Sequence, residues 1–206
     1  MTMLDHCQPH GEDCLTIVPP DTEQIREQIL TEVAACVRQV SAESLARAET
    51  LMETASRVFV AGAGRSGLCM RALGMRLMHL GKTVHVVGET TTPSIAAADL
   101  LILGSGSGRT AGLLTLAEKA RRQQAKILLF TTDRASPLAE LADYRVVIPA
   151  PSLRTSKETC DLFSVQPLGT LFEQSLLVLC DSIILGLMQR NRIGTAQMLE
   201  RHANLE

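Results

Sequence analysis

Residues 57–67 read RVFVAGAGRSG, and residues 100–110 read LLILGSGSGRT. Each is a short apolar run that breaks into glycine and serine and then opens a helical pattern. A strand buried on both faces reads as such a run, whereas a half-exposed strand alternates. Working outward, the pattern repeats. Arg57–Ala61 predicts a strand, and Ser66–Leu80 a helix with Leu68, Leu73, Leu77 and Leu80 apolar. Thr83–Val87 predicts the next strand, followed by a loop over Gly88–Ala98. Leu100–Leu103 is a strand, Thr110–Gln123 a helix, Lys126–Phe130 a strand, Pro137–Ala142 a short helix and Arg145–Ile148 a strand. Five strands separated by helices predict an α/β fold. Right-handed crossovers make it a doubly wound five-stranded parallel sheet, in the flavodoxin-like order 2-1-3-4-5.

Helices extend this unit at both ends, giving one domain over residues 21–206. Ile25, Ile29, Val33, Cys36, Val37 and Val40 recur at helical spacing, with Asp21 or Thr22 as the cap. A second helix follows Ser41. These two can pack on their own subunit or on a partner. Pro167–Arg190 predicts a long helix that is apolar on nearly every side. One sheet cannot cover all of it, which predicts a subunit interface. Residues 1–20 are polar, hold Pro9, Pro19 and Pro20, and are expected to form a loosely ordered extension. Asp5, His6, Cys7, His10 and Cys14 cluster there, but their irregular spacing predicts no metal site.

Composition excludes several classes. The chain has 206 residues, a net charge of −2 and only 2% aromatic residues. A broad phosphate-backbone footprint or a base-stacking platform needs more of both cations and aromatics, so no nucleic-acid partner is expected. No uninterrupted apolar run of membrane-spanning length occurs, and the first residues lack a basic start followed by an apolar stretch. The six cysteines fall at 7, 14, 36, 69, 160 and 180 with no framework spacing. Reduced thiols in a cytoplasmic protein with no membrane partner are the expectation.

The two glycine–serine turns follow strands one and three. In a 2-1-3-4-5 sheet these strands are neighbours, and the gap between their carboxyl ends is where ligands bind. Backbone N–H groups in such turns, with a helix N-terminus behind each, suit an anion. Ser105, Gly106, Ser107 and Thr110 offer three hydroxyls and backbone donors, while Arg65 and Ser66 add a cation and a hydroxyl. Together they fit the phosphate of a small metabolite. The run lacks the Gly-Lys-Ser/Thr of a nucleotide P-loop. Gly62, Gly64 and Gly67 also match a dinucleotide fingerprint, with Glu89 where a ribose-binding acid would sit. That reading leaves residues 105–110 unexplained. A phosphosugar-sensing module is a third possibility, although such regulators usually carry a DNA-binding domain for which this chain has no space. Glu173 interrupts the long apolar helix, and a carboxylate in apolar surroundings can serve as a base near neutral pH. Asp181 poses the same question more weakly. His202 can exchange protons near neutrality, whereas His79 and His85 read as packing residues.

The stretches VAGAGRSG (60–67), RLMHLGKTVHVVGETTTP (76–93), SGSGRT (105–110), QPLGTLFEQ (166–174) and ERHANLE (200–206) together resemble the sugar-isomerase (SIS) domain family. Within it they resemble the 6-phospho-3-hexuloisomerase branch, from about Thr22 to Glu206. The resemblance implies a five-stranded SIS fold assembled as a homotetramer. It implies interconversion of D-arabino-hex-3-ulose 6-phosphate and fructose 6-phosphate in the ribulose monophosphate pathway of formaldehyde fixation. No metal or organic cofactor is implied, and the functional companion would be 3-hexulose-6-phosphate synthase. The resemblance assigns Ser105, Ser107 and Thr110 to a phosphate clamp, with Ser66 and Arg65 beside it. Glu173 would be the base, and His202 a terminal histidine reaching a site, from a neighbouring subunit if need be. Gly64, Glu89 and Thr90 are further candidates for substrate binding. Arg109 departs from the pattern, which has an acidic residue at this position.

Overall fold

The computed structural model describes residues 21–151 and 163–205. The extension over residues 1–20, with its histidine–cysteine cluster, and residues 152–162 of the long connection lie outside the described residues. Strands β1 (Val58–Gly62), β2 (Val84–Val86), β3 (Leu100–Gly104), β4 (Lys126–Thr131) and β5 (Tyr144–Val147) form one parallel sheet in the order β2-β1-β3-β4-β5. That is the expected topology.

Side chains alternate across a strand, so each apolar run feeds two cores. Val58, Val60, Leu100, Ile102, Leu128 and Phe130 face one core, shared with α1 (Thr22–Arg38), α2 (Ala42–Thr54), α3 (Gly64–His79) and α6 (Thr170–Asn191). Phe59, Ala61, Leu101, Leu103, Ile127 and Leu129 face the other, covered by α4 (Ala111–Arg122) and α5 (Pro137–Leu141). A short α7 (Thr195–Leu199) follows α6.

The two leading helices pack on α6 of their own chain. Leu176, Leu179, Cys180, Ile183 and Leu187 of α6 are buried, while Leu177, Val178 and Leu185 remain 39%, 42% and 58% exposed. By length and composition α6 is apolar enough to cross a membrane, although scattered polar residues interrupt its apolar run. Half of its most apolar stretch is nevertheless buried inside the fold, as expected of a core helix. It begins at Thr170, not at Pro167. Leu168 takes a left-handed φ of 56°, and Gly169 supplies the N-cap, so the chain turns before helical bonding starts.

Helix starts divide into two groups. Asp21, Ser41 and Ser136 cap α1, α2 and α5 through their side chains, accepting from the N–H groups of Gln24, Ser44 and Ala139. The N-cap residues of α3, α4 and α6 are Ala63, Thr110 and Gly169, and none makes a side-chain cap bond; Gly194 of the short α7 makes none either, and its own N–H is taken up by Gln197 Oε1 at 2.8 Å. Among the described residues, first-turn N–H groups of α3, α4 and α6 are therefore left without a side-chain cap.

At the amino-terminal edge of the sheet, Arg57 and Asp99 lock the entries to β1 and β3. Arg57 Nε donates to Asp99 Oδ1 at 3.0 Å and Nη2 to Oδ2 at 2.6 Å, and the Ala96 N–H donates to Oδ2 at 2.8 Å. Burial pushes the Asp99 carboxyl up, but the hydrogen bonds and charge of Arg57 with the Ala96 N–H outweigh it. The group ends below its ordinary value near 3.8. A folded-state value below the unfolded one stabilises the protein above the unfolded value, and that contribution is lost as pH falls through the folded value. Asp99→Asn is expected to cost about 1–3 kcal/mol at pH 7. In urea titrations the deficit should shrink towards pH 3; an equal deficit at both pH values would assign Asp99 a packing role only.

Candidate active site

Strand register sets the site. Gly62 at the end of β1 pairs with Gly104 at the end of β3, so the two glycine–serine turns leave the sheet side by side. They border an open cleft of about 190 Å³. Ala63, Thr110 and Gly169, the N-cap residues without side-chain cap bonds, all line it. Three helix N-termini that find no side-chain cap among the described residues thus turn the positive ends of their dipoles to one space, an arrangement that favours an anion.

The turn after β3 is held by the end of β4. The Gly106 carbonyl accepts from Thr131 Oγ1 at 3.0 Å, Thr132 Oγ1 at 2.9 Å and the Thr132 N–H at 3.0 Å. With that carbonyl occupied, the N–H groups of Gly106 and Ser107 find no acceptor among the described residues. Ser105 Oγ and Thr110 Oγ1 lie 3.4 Å apart. Ser107 Oγ accepts from the Arg109 N–H at 3.3 Å and keeps its own proton to donate. Gly108 has φ +60°, and a Cβ there would fall 1.9 Å from Ser136 Oγ. The guanidinium of Arg109, the residue that departs from the expected pattern, binds the Asp133 carboxylate at 3.0 Å. It therefore ties the turn to the loop after β4.

Glu173, in the first turn of α6, forms the opposite wall with Phe172. The expectation of a carboxylate stranded among apolar groups is corrected. Arg65 Nε donates to Glu173 Oε2 at 2.6 Å, and the carboxylate is 18% exposed. The first turn of α3 thus supplies Glu173 with its own cation across the cleft. Behind it, the Cys69 thiol donates to the Glu173 carbonyl at 3.3 Å. Burial pushes the Cys69 thiol up, and the Glu173 charge pushes further against the opposing effect of Arg65. A thiol held protonated in this way is a packing group, not a nucleophile.

Of the residues singled out from sequence, Ser66, Ser105, Gly106, Ser107, Thr110 and Glu173 line one cleft, and Arg65 joins them through its ion pair. Gly64, at φ +56°, starts α3 beside them. Glu89 and Thr90 do not line the cleft; Glu89 pairs with Arg71 at 2.9 Å on the exposed side of α3. The dinucleotide reading loses its acid, and its glycines have a packing reason: a Cβ on Gly67 would approach Gly62 O to 2.6 Å. Asp181 is exposed. His202 stacks on His79, with ring centroids 5.3 Å apart, near the last turn of α3. The first turn of that helix borders the cleft roughly 22 Å away, at about 1.5 Å per residue. One chain alone does not bring His202 to Glu173. His79 is buried, and His85 packs on the Phe59 ring at 5.1 Å, both as packing residues. Sequence reasoning missed Thr132, Gly169 and Phe172; the Thr131–Thr132 pair ending β4, next to the switch point, was the available signal.

Comparison with known proteins agrees with this geometry. The SIS domain family matches residues 51–166. A protein of Mycobacterium gastri named 3-hexulose-6-phosphate isomerase is 42% identical over 95% of this chain and 97% of its own. A Bacillus subtilis protein of the same name is 37% identical over 90% and 98%. A crystal structure from Methanococcus jannaschii, whose description infers the same function, superposes with a TM-score of 0.76 at 32% identity, covering 89% of this chain and 99% of that one. This chain belongs to the SIS-domain family, alongside the relatives named 3-hexulose-6-phosphate isomerase.

Proposed function

We propose that this chain interconverts D-arabino-hex-3-ulose 6-phosphate and fructose 6-phosphate, the isomerase step of the ribulose monophosphate pathway of formaldehyde fixation. One observation carries the reading beyond the relatives' names. A serine-lined anion site and a carboxylate paired with its own cation share a single cleft. Phosphate binding and proton transfer on a small sugar need those two things and little else.

In this scheme the sugar's phosphate occupies the Ser105, Ser107 and Thr110 hydroxyls, the N–H groups of Gly106 and Ser107, and Ser66. That remote binding energy orients the reacting carbons. Glu173 takes the proton from carbon 2 of the hex-3-ulose. The electron pair forms a carbon 2–carbon 3 double bond, and the oxygen on carbon 3 gains a proton. The resulting cis-enediol loses the proton of its carbon 2 oxygen while Glu173 returns a proton to carbon 3, giving the 2-ketose. Arg65, ion-paired to the carboxylate at 2.6 Å, fixes its orientation and faces the oxyanion as it develops.

His202 completes the scheme only from a neighbouring copy, since its own cleft lies at the far end of α3. The exposed apolar side chains of α6, Leu177, Val178 and Leu185, offer a surface for such a copy, and a homotetramer is the assembly we assign. The reaction calls for no metal or organic cofactor. Its substrate would come from 3-hexulose-6-phosphate synthase, a metabolic neighbour in the cytoplasm.

Glu173→Gln is expected to lower kcat about 10³-fold while inorganic phosphate still inhibits residual turnover at similar concentrations. Unchanged turnover would remove Glu173 from the mechanism. Ser107→Ala should raise KM about tenfold, the effect of one charge-assisted hydrogen bond, with kcat little altered; indifference of KM would discredit the clamp. Mixed assemblies of Glu173→Gln and His202→Ala chains, formed by co-expression, should recover activity that neither has alone. Absence of recovery would show that His202 does not act across subunits.

A further inference from the structure

The turn that starts α6 is an unusual piece of backbone. Leu168 adopts φ +56° although it is not glycine, and its side chain is 74% exposed, so packing does not hold it there. A left-handed conformation is sterically strained for such a residue. Gly169, Phe172 and Glu173 follow directly and form one wall of the cleft. The turn closes on itself, with the Thr170 N–H donating to the Pro167 carbonyl at 3.1 Å, so its place against the cleft is set by what anchors the segment leading into it.

Glu32, on α1, is the residue placed to do so. Its carboxylate accepts three hydrogen bonds from the segment leading into the turn: from Ser164 Oγ at 2.6 Å, the Val165 N–H at 3.0 Å and Gln166 Nε2 at 2.9 Å. Ser164 Oγ in turn accepts from the Gln166 N–H at 3.1 Å, and Thr170 Oγ1 donates to the Pro167 carbonyl at 2.6 Å. The network therefore runs from α1 through Gln166 to the cap of α6. Burial pushes the Glu32 carboxyl up, but the bonds from Ser164, Val165 and Gln166 outweigh it and hold the group below its ordinary value. The carboxylate form is thus the one that grips the segment. Residues 22–38 lie outside the matched SIS segment of 51–166, so this grip comes from an appended helix.

We infer that Glu32 is a positioning residue for the isomerase. By fixing residues 164–166 it sets where Gly169, Phe172 and Glu173 stand relative to the phosphate-binding turns. The turn at residues 105–110 touches the wall where Gly106 lies against the Phe172 ring, but its hydrogen bonds and ion pair tie it to the end of β4 and the loop that follows. Loosening the Glu32 network moves the base while leaving the phosphate site in place. A small displacement of a reacting group costs far more in rate than in binding.

The kinetic readout rests on the isomerase reading, and a second readout does not. Wild-type, Glu32→Ala and Ser164→Ala enzymes would be compared in steady-state isomerisation, inhibition by inorganic phosphate, and amide hydrogen exchange. Glu32→Ala should lower kcat about tenfold or more, with the phosphate inhibition constant unchanged. Ser164→Ala, which removes one of the three donors, should lower kcat less. Amides of residues 165–173 should exchange faster in Glu32→Ala, with residues 105–110 unchanged. Unaltered kcat in a folded Glu32→Ala enzyme overturns the inference, as does an equal loss of phosphate affinity or faster exchange spread over the whole chain. An inactive wild-type enzyme would instead overturn the isomerase reading, and the exchange pattern alone would then decide whether Glu32 holds the wall.

Discussion

Three helix starts that find no side-chain cap among the described residues are the constraint around which the cleft is arranged. Helix starts normally find a side-chain acceptor, and α1, α2 and α5 do. Those of α3, α4 and α6 do not, and they are the ones that converge on the cleft. Sheet topology makes this possible. Neighbouring β1 and β3 send their helices to opposite faces, so both starts sit at the same point of the carboxyl edge. The long helix α6 arrives from the end of the chain and closes the third side. A dianion placed there replaces the missing caps of all three helices at once, which couples ligand binding to the order of the whole edge.

The ion pair between Arg65 and Glu173 belongs to the same logic. Positive helix ends alone would make the cleft a general anion trap. A carboxylate on one wall opposes a second anionic group, and its guanidinium partner keeps that carboxylate from folding back onto the helix starts. Charge inside the cleft is thus divided into a cationic floor and a neutralised wall. A sugar phosphate has that same division, with a charged end and an uncharged, polar body.

Much of the fold was legible in the sequence because parallel strands announce themselves. Arg57–Ala61, Leu100–Leu103 and Lys126–Phe130 are short, apolar and closed by small residues or turns, and each lies within a residue or two of the observed strand. The glycine–serine side of the cleft was legible for a related reason: two such turns follow strands that the topology makes neighbours. The wall opposite was harder. Glu173 stood out as a charge in an apolar helix, but its partnership with Arg65 joins residues 108 positions apart in the chain, which periodicity does not report. Glu89 looked like a ribose acid from its position after β2, yet Arg71, two turns along the exposed side of α3, claims it. The start of α6 was misplaced by three residues, because a left-handed Leu168 contradicts its own backbone preference and the turn it makes is closed by Thr170 on the Pro167 carbonyl.

The contact between Gly108 and Ser136 bears on how such a cleft can diversify. Ser136 caps α5, and the space beside its hydroxyl is filled by the α-carbon of a residue in the anion-binding turn. A methyl group added at 108 meets that hydroxyl head-on, and the left-handed backbone there resists any larger side chain as well. Lineages that retune the turn for a different ligand must therefore alter its flanks, at 107, 109 and 110, or remodel α5 at the same time. Variation in ligand preference among relatives should accumulate around an unvarying pivot.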